Sequence, residues 1–255
     1  MTGRGGAIRV ALMAVLAHSA TAQDTSAVMR HLLALDISRV QPFQRTYDMV
    51  VRLRDSAVVI GQRDIALSGS AYSGAPAWLL VETRTGLVPS VESLYVAPDL
   101  RPLHWSSALG EARIGAEFVG DTIYGAATMQ AAKQNLVLNS RPDLLVSSSM
   151  LETLLPLLPL TSNWADSVGV LGVDLSASQV VAAELAVVAE EDVAIDSSSS
   201  RPTWVIALRS GPHHVLVWVD KESGAVLKSQ QSLPAHVGSE LEYRLRPERG
   251  TAPPR

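Results

Sequence analysis

The chain has 255 residues, 47% of them hydrophobic and 18% charged, with a formal net charge of −4. That is enough apolar matter for a sizeable core and too little charge for a disordered chain, and it offers no electrostatic reason to bind nucleic acid or an anionic membrane surface. The lack of any cysteine excludes a disulfide framework, a thiolate metal site, a cysteine nucleophile and a lipidated N-terminal cysteine.

The first element reads as an export signal. Arg4 and Arg9 supply a positive start, Val10 to Ala17 a short apolar run, and Ala20-Thr-Ala22 a small-x-small ending. Cleavage is expected between Ala22 and Gln23, giving a signal peptide over 1–22 and a periplasmic or secreted mature chain of net charge −6. The apolar run is about half of the roughly 20 residues that a spanning helix needs, and the later Leu151–Leu160 stretch is broken by Pro156 and Pro159. No integral span is therefore expected after cleavage. An N-terminal extension over 23–43 follows, in which Thr25 to Leu35 is expected to be a short helix with Met29, Leu32, Leu33 and Leu35 on its apolar side.

From Gln44 the pattern becomes that of strands. Tyr47, Met49, Val51 and Leu53 alternate with Asp48, Val50, Arg52 and Arg54, a period of two with one buried face. Asp55-Ser56 reads as a turn, and further turns are expected at Ser68-Gly69, Ser73-Gly74, Thr85-Gly86, Pro98-Asp99, Gly110-Glu111 and Gly120-Asp121. Turns every 8–12 residues or so mark an antiparallel meander, sandwich or barrel. At mid-chain, Ser149 and Glu152 fit a capping box, and Leu151, Leu154, Leu155 and Leu158 stripe one helical face. Pro156 disfavours helical geometry at Leu155. One or two turns of helix and then an extended Pro-Leu-Leu-Pro segment are the expectation. Strands resume near Asp166 and continue through Gln179–Val188, Thr203–Arg209, Val215–Asp220, Ala225–Gln231 and Ser239–Leu245. The β domain thus spans 44–245, with a flexible tail over 246–255.

No chemistry-bearing constellation stands out. His31, His104, His213, His214 and His236 show no recognised metal-ligand spacing, and His213 and His214 would point to opposite faces of a strand. The serines lack a G-x-S-x-G elbow, and Glu190-Glu191-Asp192 reads as a solvated strand end. No catalytic residue, metal site or cofactor is expected, and the chain reads as a non-enzyme. Trp78, Trp105, Trp164, Trp204 and Trp218 fall mostly in strands, where they fill a core or line a cavity beneath the leucine segment.

One stretch resembles a known family. Val217-Trp-Val-Asp-Lys-Glu-Ser-Gly-Ala-Val-Leu-Lys-Ser229 is similar to the W-x-D-x-x-T-G-x-x-x-K hairpin of the periplasmic lipoprotein-carrier superfamily and of related exported domains of unknown function, with Ser223 in place of the threonine. Tyr47–Val50, the turn at Asp99–Pro102 and the Leu/Pro segment fall where such domains carry similar features. The resemblance implies a strongly curved antiparallel sheet, a half-barrel whose concave side is covered by a short helical lid from the mid-chain Leu/Pro segment. It also implies a hollow for acyl chains, with Leu151, Leu154, Leu155, Leu158, Trp78, Trp105 and Trp218 as its ligand-binding residues. Two readings follow. One is a binding module for a lipid, acyl chain or lipoprotein. The other is a structural or interaction protein of the envelope, with a filled core and another envelope protein as partner.

Overall fold

The computed structural model describes residues 35–53, 56–87, 89–129, 132–141, 144–172, 178–196, 198–210, 213–232 and 239–246. The expected signal peptide, nearly all of the expected 25–35 helix, and the tail beyond Arg246 lie outside the described residues.

The described chain is mainly β. Eight strands come first: β1 (Phe43–Leu53), β2 (Ser56–Tyr72), β3 (Ala75–Gly86), β4 (Ser90–Val96), β5 (Pro102–Leu109), β6 (Ala112–Val119), β7 (Thr122–Met129) and β8 (Ala132–Asn139). After them come β9 (Leu144–Leu145) and, beyond a long intervening segment, β10 (Ala165–Gly172), β11 (Gln179–Ala194), β12 (Ser200–Ser210), β13 (His213–Asp220), β14 (Val226–Ser232) and β15 (Ser239–Leu245). All join one sheet in the order β8 to β1, then β15 down to β9. Each neighbour is antiparallel except the short β9–β10 pair. Two meanders are thus sewn together along β1 and β15, where Tyr47 stands opposite Leu245 and Leu53 opposite Ser239.

The sheet is open and curved. Register shifts at Met49/Val50, Tyr95/Val96, Val187/Ala189 and Trp218/Val219 mark bulges, and a bulge bends a strand and increases its twist. The curvature brings β8, one edge of the sheet, within 8 Å (Cα to Cα) of β11, which lies near the other edge. β8 and β9 sit at opposite edges yet only four residues separate them, which the closeness of the two edges allows. The longer segment between β9 and its neighbour β10 leaves the sheet and crosses the hollow toward β2 and β3.

That segment carries the helix α1 (Ser148–Leu154) and a 3-10 turn over Leu155–Leu157. Every residue from Ser149 to Leu154 is buried, as expected of a helix enclosed on all sides rather than lying on a surface. The cap differs from the sequence expectation. Ser147, not Ser149, is the N-cap and accepts a hydrogen bond from the Met150 amide at 3.2 Å. Glu152 has no part in capping because its carboxylate is drawn to an arginine on β2. Leu155 also departs from the expectation and keeps helical angles (φ −52°, ψ −42°). Pro156 is accommodated because it lies in the first turn of the 3-10 segment, where no amide donor is needed. The chain becomes extended only at Leu158.

One turn expected from the sequence is absent. β2 runs straight through Ser68-Gly69 to Tyr72, with Gly69 opposite Trp78 of β3 in the register and open space where its side chain would stand. The core gathers both meanders around the crossing segment, with Tyr47, Ile65, Leu94, Leu155, Ile206 and Val217 each exposed by 1% or less.

Candidate functional site

Beneath α1 the inward face of the sheet carries charge. Strand alternation puts Arg63 of β2 and Glu82 and Arg84 of β3 on the same side as Ile65, Leu67 and Leu80, pointing into the hollow. Arg63 is 1% exposed and splits its two terminal nitrogens. Nη2 donates to Glu82 Oε2 at 2.7 Å, and Nη1 donates to Glu152 Oε1 of α1 at 2.5 Å. Arg84 Nε donates to the other Glu82 oxygen at 2.5 Å. The helix is therefore fixed to the sheet by an ion pair as well as by its leucines.

Glu92 of β4 completes the cluster. It stands directly across from Glu82 in the antiparallel register, where like charges repel. Its hydrogen-bond partner on α1 is the Ser149 hydroxyl, at 3.3 Å. Burial would raise Glu82, but the guanidinium charges of Arg63 and Arg84 overcome it and hold the carboxyl down at about 2. Burial, and then the Glu82 charge, push Glu92 up to about 7 against the opposing pull of Ser147, Arg84 and Trp105. Glu152 also lies above the usual carboxylate range, because burial outweighs its single guanidinium partner. Burial likewise raises the Tyr47 and Tyr243 phenols, which lie 5.7 and 4.9 Å from the Arg63 guanidinium carbon. The two carboxyls facing each other across β3 and β4 are thus held far apart in acidity by their surroundings.

Next to the cluster is a hollow of about 240 Å³. Arg63, Glu82, Arg84, Glu92, Glu152 and Trp105 border its charged side, and Leu145, Val170, Leu208, Val215 and Val217 belong to its apolar side. Three buried polar atoms of these lining residues have no hydrogen-bond partner: Arg63 Nε, Glu152 Oε2 and Trp105 Nε1, the last lying near Glu92 but outside hydrogen-bond geometry. Such atoms are uncommon in native interiors and need an explanation. A larger depression of about 350 Å³ lies over β4 to β7, where Gly115 and Ala126 are among its lining. None of its lining residues has a buried polar atom without a partner. The smaller hollow is therefore the candidate site. Among the described residues no group of three histidines or carboxylates is placed to hold a metal ion.

The residues singled out from the sequence fall into three places. Leu151 and Trp105 border the hollow. Leu154, Leu155 and Leu158 are buried in the surrounding core, and Trp78 packs partly buried beside them. Trp218 lies on the opposite face of the sheet from Val217. Its indole N–H donates to Glu191 Oε2 at 2.8 Å and its ring carries Lys228 Nζ at 4.0 Å. Glu191 is therefore a partner of Trp218 rather than a purely solvated residue. His104 is on the outer face too, with Nδ1 at 2.8 Å from Glu117 Oε1. His31 and His236 lie outside the described residues.

The hairpin motif around Trp218 has a structural explanation. Asp220 closes the β13–β14 turn by accepting from the Glu222 amide at 3.0 Å and the Ser223 hydroxyl at 2.8 Å. Ser223 Oγ accepts in turn from the Ala225 amide at 3.2 Å, so a serine does what a threonine would do there. Gly224 has φ +71°, and a Cβ at that position would come 2.8 Å from Pro156 Cβ. The motif thus forms a turn that lets the crossing segment pack close against it.

Arg63, Glu82, Arg84 and Glu92 match no motif in the sequence, and Glu152 matches only a capping box. The available signal was a break in alternation: Arg63 shares its face with Ile65 and Leu67, and Glu82 and Arg84 share theirs with Leu80.

The fold and site define a β-barrel-like protein with a single open curved sheet, an internal helix and a charged hollow. No protein-family model matches the chain, and no curated protein matches it. Among solved structures it is similar to a β-barrel-like protein of Brucella abortus, a domain of unknown function, DUF1849. The similarity has a TM-score of 0.54 at 13% identity and covers 81% of this chain and 96% of that one. At this identity the likeness is one of fold. It supports a barrel-like domain of unknown function and does not extend to the lipoprotein-carrier superfamily.

Proposed function

We propose that the protein is exported, works in the cell envelope without catalysing a reaction, and binds one small amphipathic ligand in the hollow beneath α1, in the manner of a carrier. The observation carrying this reading is a hollow of about 240 Å³ with an apolar wall on one side and buried unpartnered polar atoms on the other. A wholly apolar guest would leave those atoms without partners, and a wholly polar one would waste the apolar wall. The space equals about eight water-sized groups at roughly 30 Å³ each, below the ~300–1,000 Å³ usual for ligand pockets. It therefore suits a short chain, or one end of a lipid or lipoprotein acyl chain. About six buried methylenes would contribute ~5 kcal/mol before ordering costs. Export is supported by the sequence of 1–22, in which a positive start, an apolar run and a small-x-small ending follow in turn. No helix of the described residues is long and apolar enough to cross a membrane.

A second reading is favoured by the ion pairs that fix α1 to the sheet: an envelope scaffold whose interior is closed and whose outer face meets another envelope protein. The two readings are separated by expressing the full chain with its leader, sequencing the N-terminus of the fractionated product, and recording native and denaturing mass spectra. The carrier reading expects a chain beginning at Gln23 in the exported fraction, with one small organic molecule released on denaturation. A cytoplasmic chain that keeps residues 1–22 refutes export. A chain that carries nothing, and takes up nothing from an envelope lipid extract, refutes binding.

A further inference from the structure

We infer that the ligand of this hollow is a monocation, an ammonium or amidinium group on a short apolar body, whose charge is met by Glu92 and Glu152. This rests on the binding role proposed above and adds the charge of the ligand to it. The argument is a count of formal charges on the side chains bordering the hollow: two guanidiniums, Arg63 and Arg84, and three carboxyls, Glu82, Glu92 and Glu152. Both guanidiniums are committed. Arg63 is shared between Glu82 and Glu152, and Arg84 is bound to Glu82. No cation of the described residues lies within ion-pair distance of Glu92. Its neighbours are the Ser147 and Ser149 hydroxyls, the Trp105 indole, the Glu82 carboxylate and, farther off, Arg84.

Glu152 Oε2 is an independent sign of a missing partner. It belongs to a residue 4% exposed, it borders the hollow, and it has no hydrogen-bond donor. The groups facing it from other elements do not supply one. Tyr47 and Tyr243 are neutral phenols near Arg63, and Arg45 of β1 lies over the Phe43 ring at 4.4 Å and acts on Glu152 more weakly than Arg63. An anionic headgroup would add a second surplus negative charge. A neutral one would leave the surplus to be met by a proton. A cation removes it, and the Trp105 ring on the same lining adds the attraction of an aromatic face.

Without a ligand, the surplus is relieved by a proton on Glu92, which burial and the Glu82 charge hold to about pH 7. Binding a cation therefore ionises that carboxyl: the ammonium keeps its protons, and the Glu92 proton passes to solvent. The test is calorimetry on the full chain with hexylammonium, hexanol and hexanoate, each with about seven or eight non-hydrogen atoms to match the room. Titrations are run at pH 6 and pH 8.5, in two buffers of different ionisation enthalpy.

Hexylammonium is expected to bind at least ~10-fold tighter than either other probe at pH 8.5, releasing close to one proton per ligand at pH 6 and almost none at pH 8.5. In Glu92→Gln the proton release disappears and the preference over hexanol shrinks, with thermal melting as the check on folding. The wild-type proton count decides the matter even if that variant is unstable. If hexanol or hexanoate binds as tightly as the amine, or the amine binds without proton release at pH 6, the charge inference is overturned while the binding reading stands. If none of the three binds, both fall.

Discussion

Arg63→Met tests the way the crossing helix is held. The substitution keeps much of the side-chain volume but removes the guanidinium that donates to Glu82 at 2.7 Å and to Glu152 at 2.5 Å. Glu82 retains Arg84, so the stranded group is Glu152, 4% exposed and already poorly satisfied. Removing one partner of a buried pair costs about 3–5 kcal/mol, because the remaining charge must stay buried alone or take up a proton. Against a typical total of about 5–15 kcal/mol, that is a fifth or more of the stability of the protein. Urea unfolding at pH 7 reads it directly. At pH 5 the penalty should be smaller, because Glu152 lies above the usual carboxylate range and is neutralised at less cost there. The double variant Arg63→Met/Glu152→Leu should recover most of the loss, since replacing a buried pair by apolar groups of similar size is often neutral or better. A single-variant loss under ~1 kcal/mol, or a double variant no more stable than the single, would refute the claim that α1 is anchored by this pair.

Glu92→Gln should alter the pH dependence of stability. The folded carboxyl titrates near 7 and the unfolded one near 4.5, so the native state binds the extra proton and its contribution is complete below about 4.5 and lost as pH rises through 7. The variant lacks that loss. Urea midpoints should be near those of the parent at pH 4.5 and up to ~3 kcal/mol higher in stability at pH 8. Ser223→Ala removes the hydroxyl that donates to Asp220 and accepts from the Ala225 amide, and should cost about 1 kcal/mol, with Ser223→Thr near neutral. Gly224→Ala imposes φ +71° on a residue with a Cβ and drives that atom to 2.8 Å from Pro156. It should cost about 1–3 kcal/mol in thermal or urea unfolding, and in a Pro156→Gly background, which lacks the Cβ it meets, the part due to the clash should vanish while the backbone strain stays.

Much of the strand layout was legible because one-sided burial leaves a period of two. Turns at Gly110-Glu111 and Gly120-Asp121 and strands such as Ser239–Leu245 stand where the pattern places them. Ser68-Gly69 misled because it has the composition of a turn, while the chain reverses only at Ser73-Gly74, where both residues take positive φ. The charged site was hidden by the same logic that reveals strands. Arg63, Glu82 and Arg84 have the residue types of outward positions although they share a face with Ile65, Leu67 and Leu80, and only the pairing of β2 with β3 and the arrival of Glu152 bring them together. Glu152 was doubly hidden, since S-x-x-E also describes a capping box, and local sequence does not say whether a glutamate bonds its own helix or a strand 89 positions away. The resemblance makes Trp218 a lining residue, but a parity difference of one from Val217 puts it on the other face, against Glu191 and Lys228.

The arrangement also explains why charge is buried here at all. A crossing segment held by leucines alone could shift along the concave face at little cost, because apolar contacts are non-directional. The Arg63 fork has fixed geometry and demands acceptors in two directions at once. Glu82 supplies one from the sheet and Glu152 the other from α1, so the pair specifies one position of the helix over β2 and β3. Apolar replacement of the pair is then expected to keep the stability and loosen the position. The Arg63→Met/Glu152→Leu double variant separates the two effects, since faster amide exchange in Ser148–Leu154 at an unchanged unfolding free energy would identify the ion pair as the source of positional order, and unchanged exchange would assign that role to the leucines.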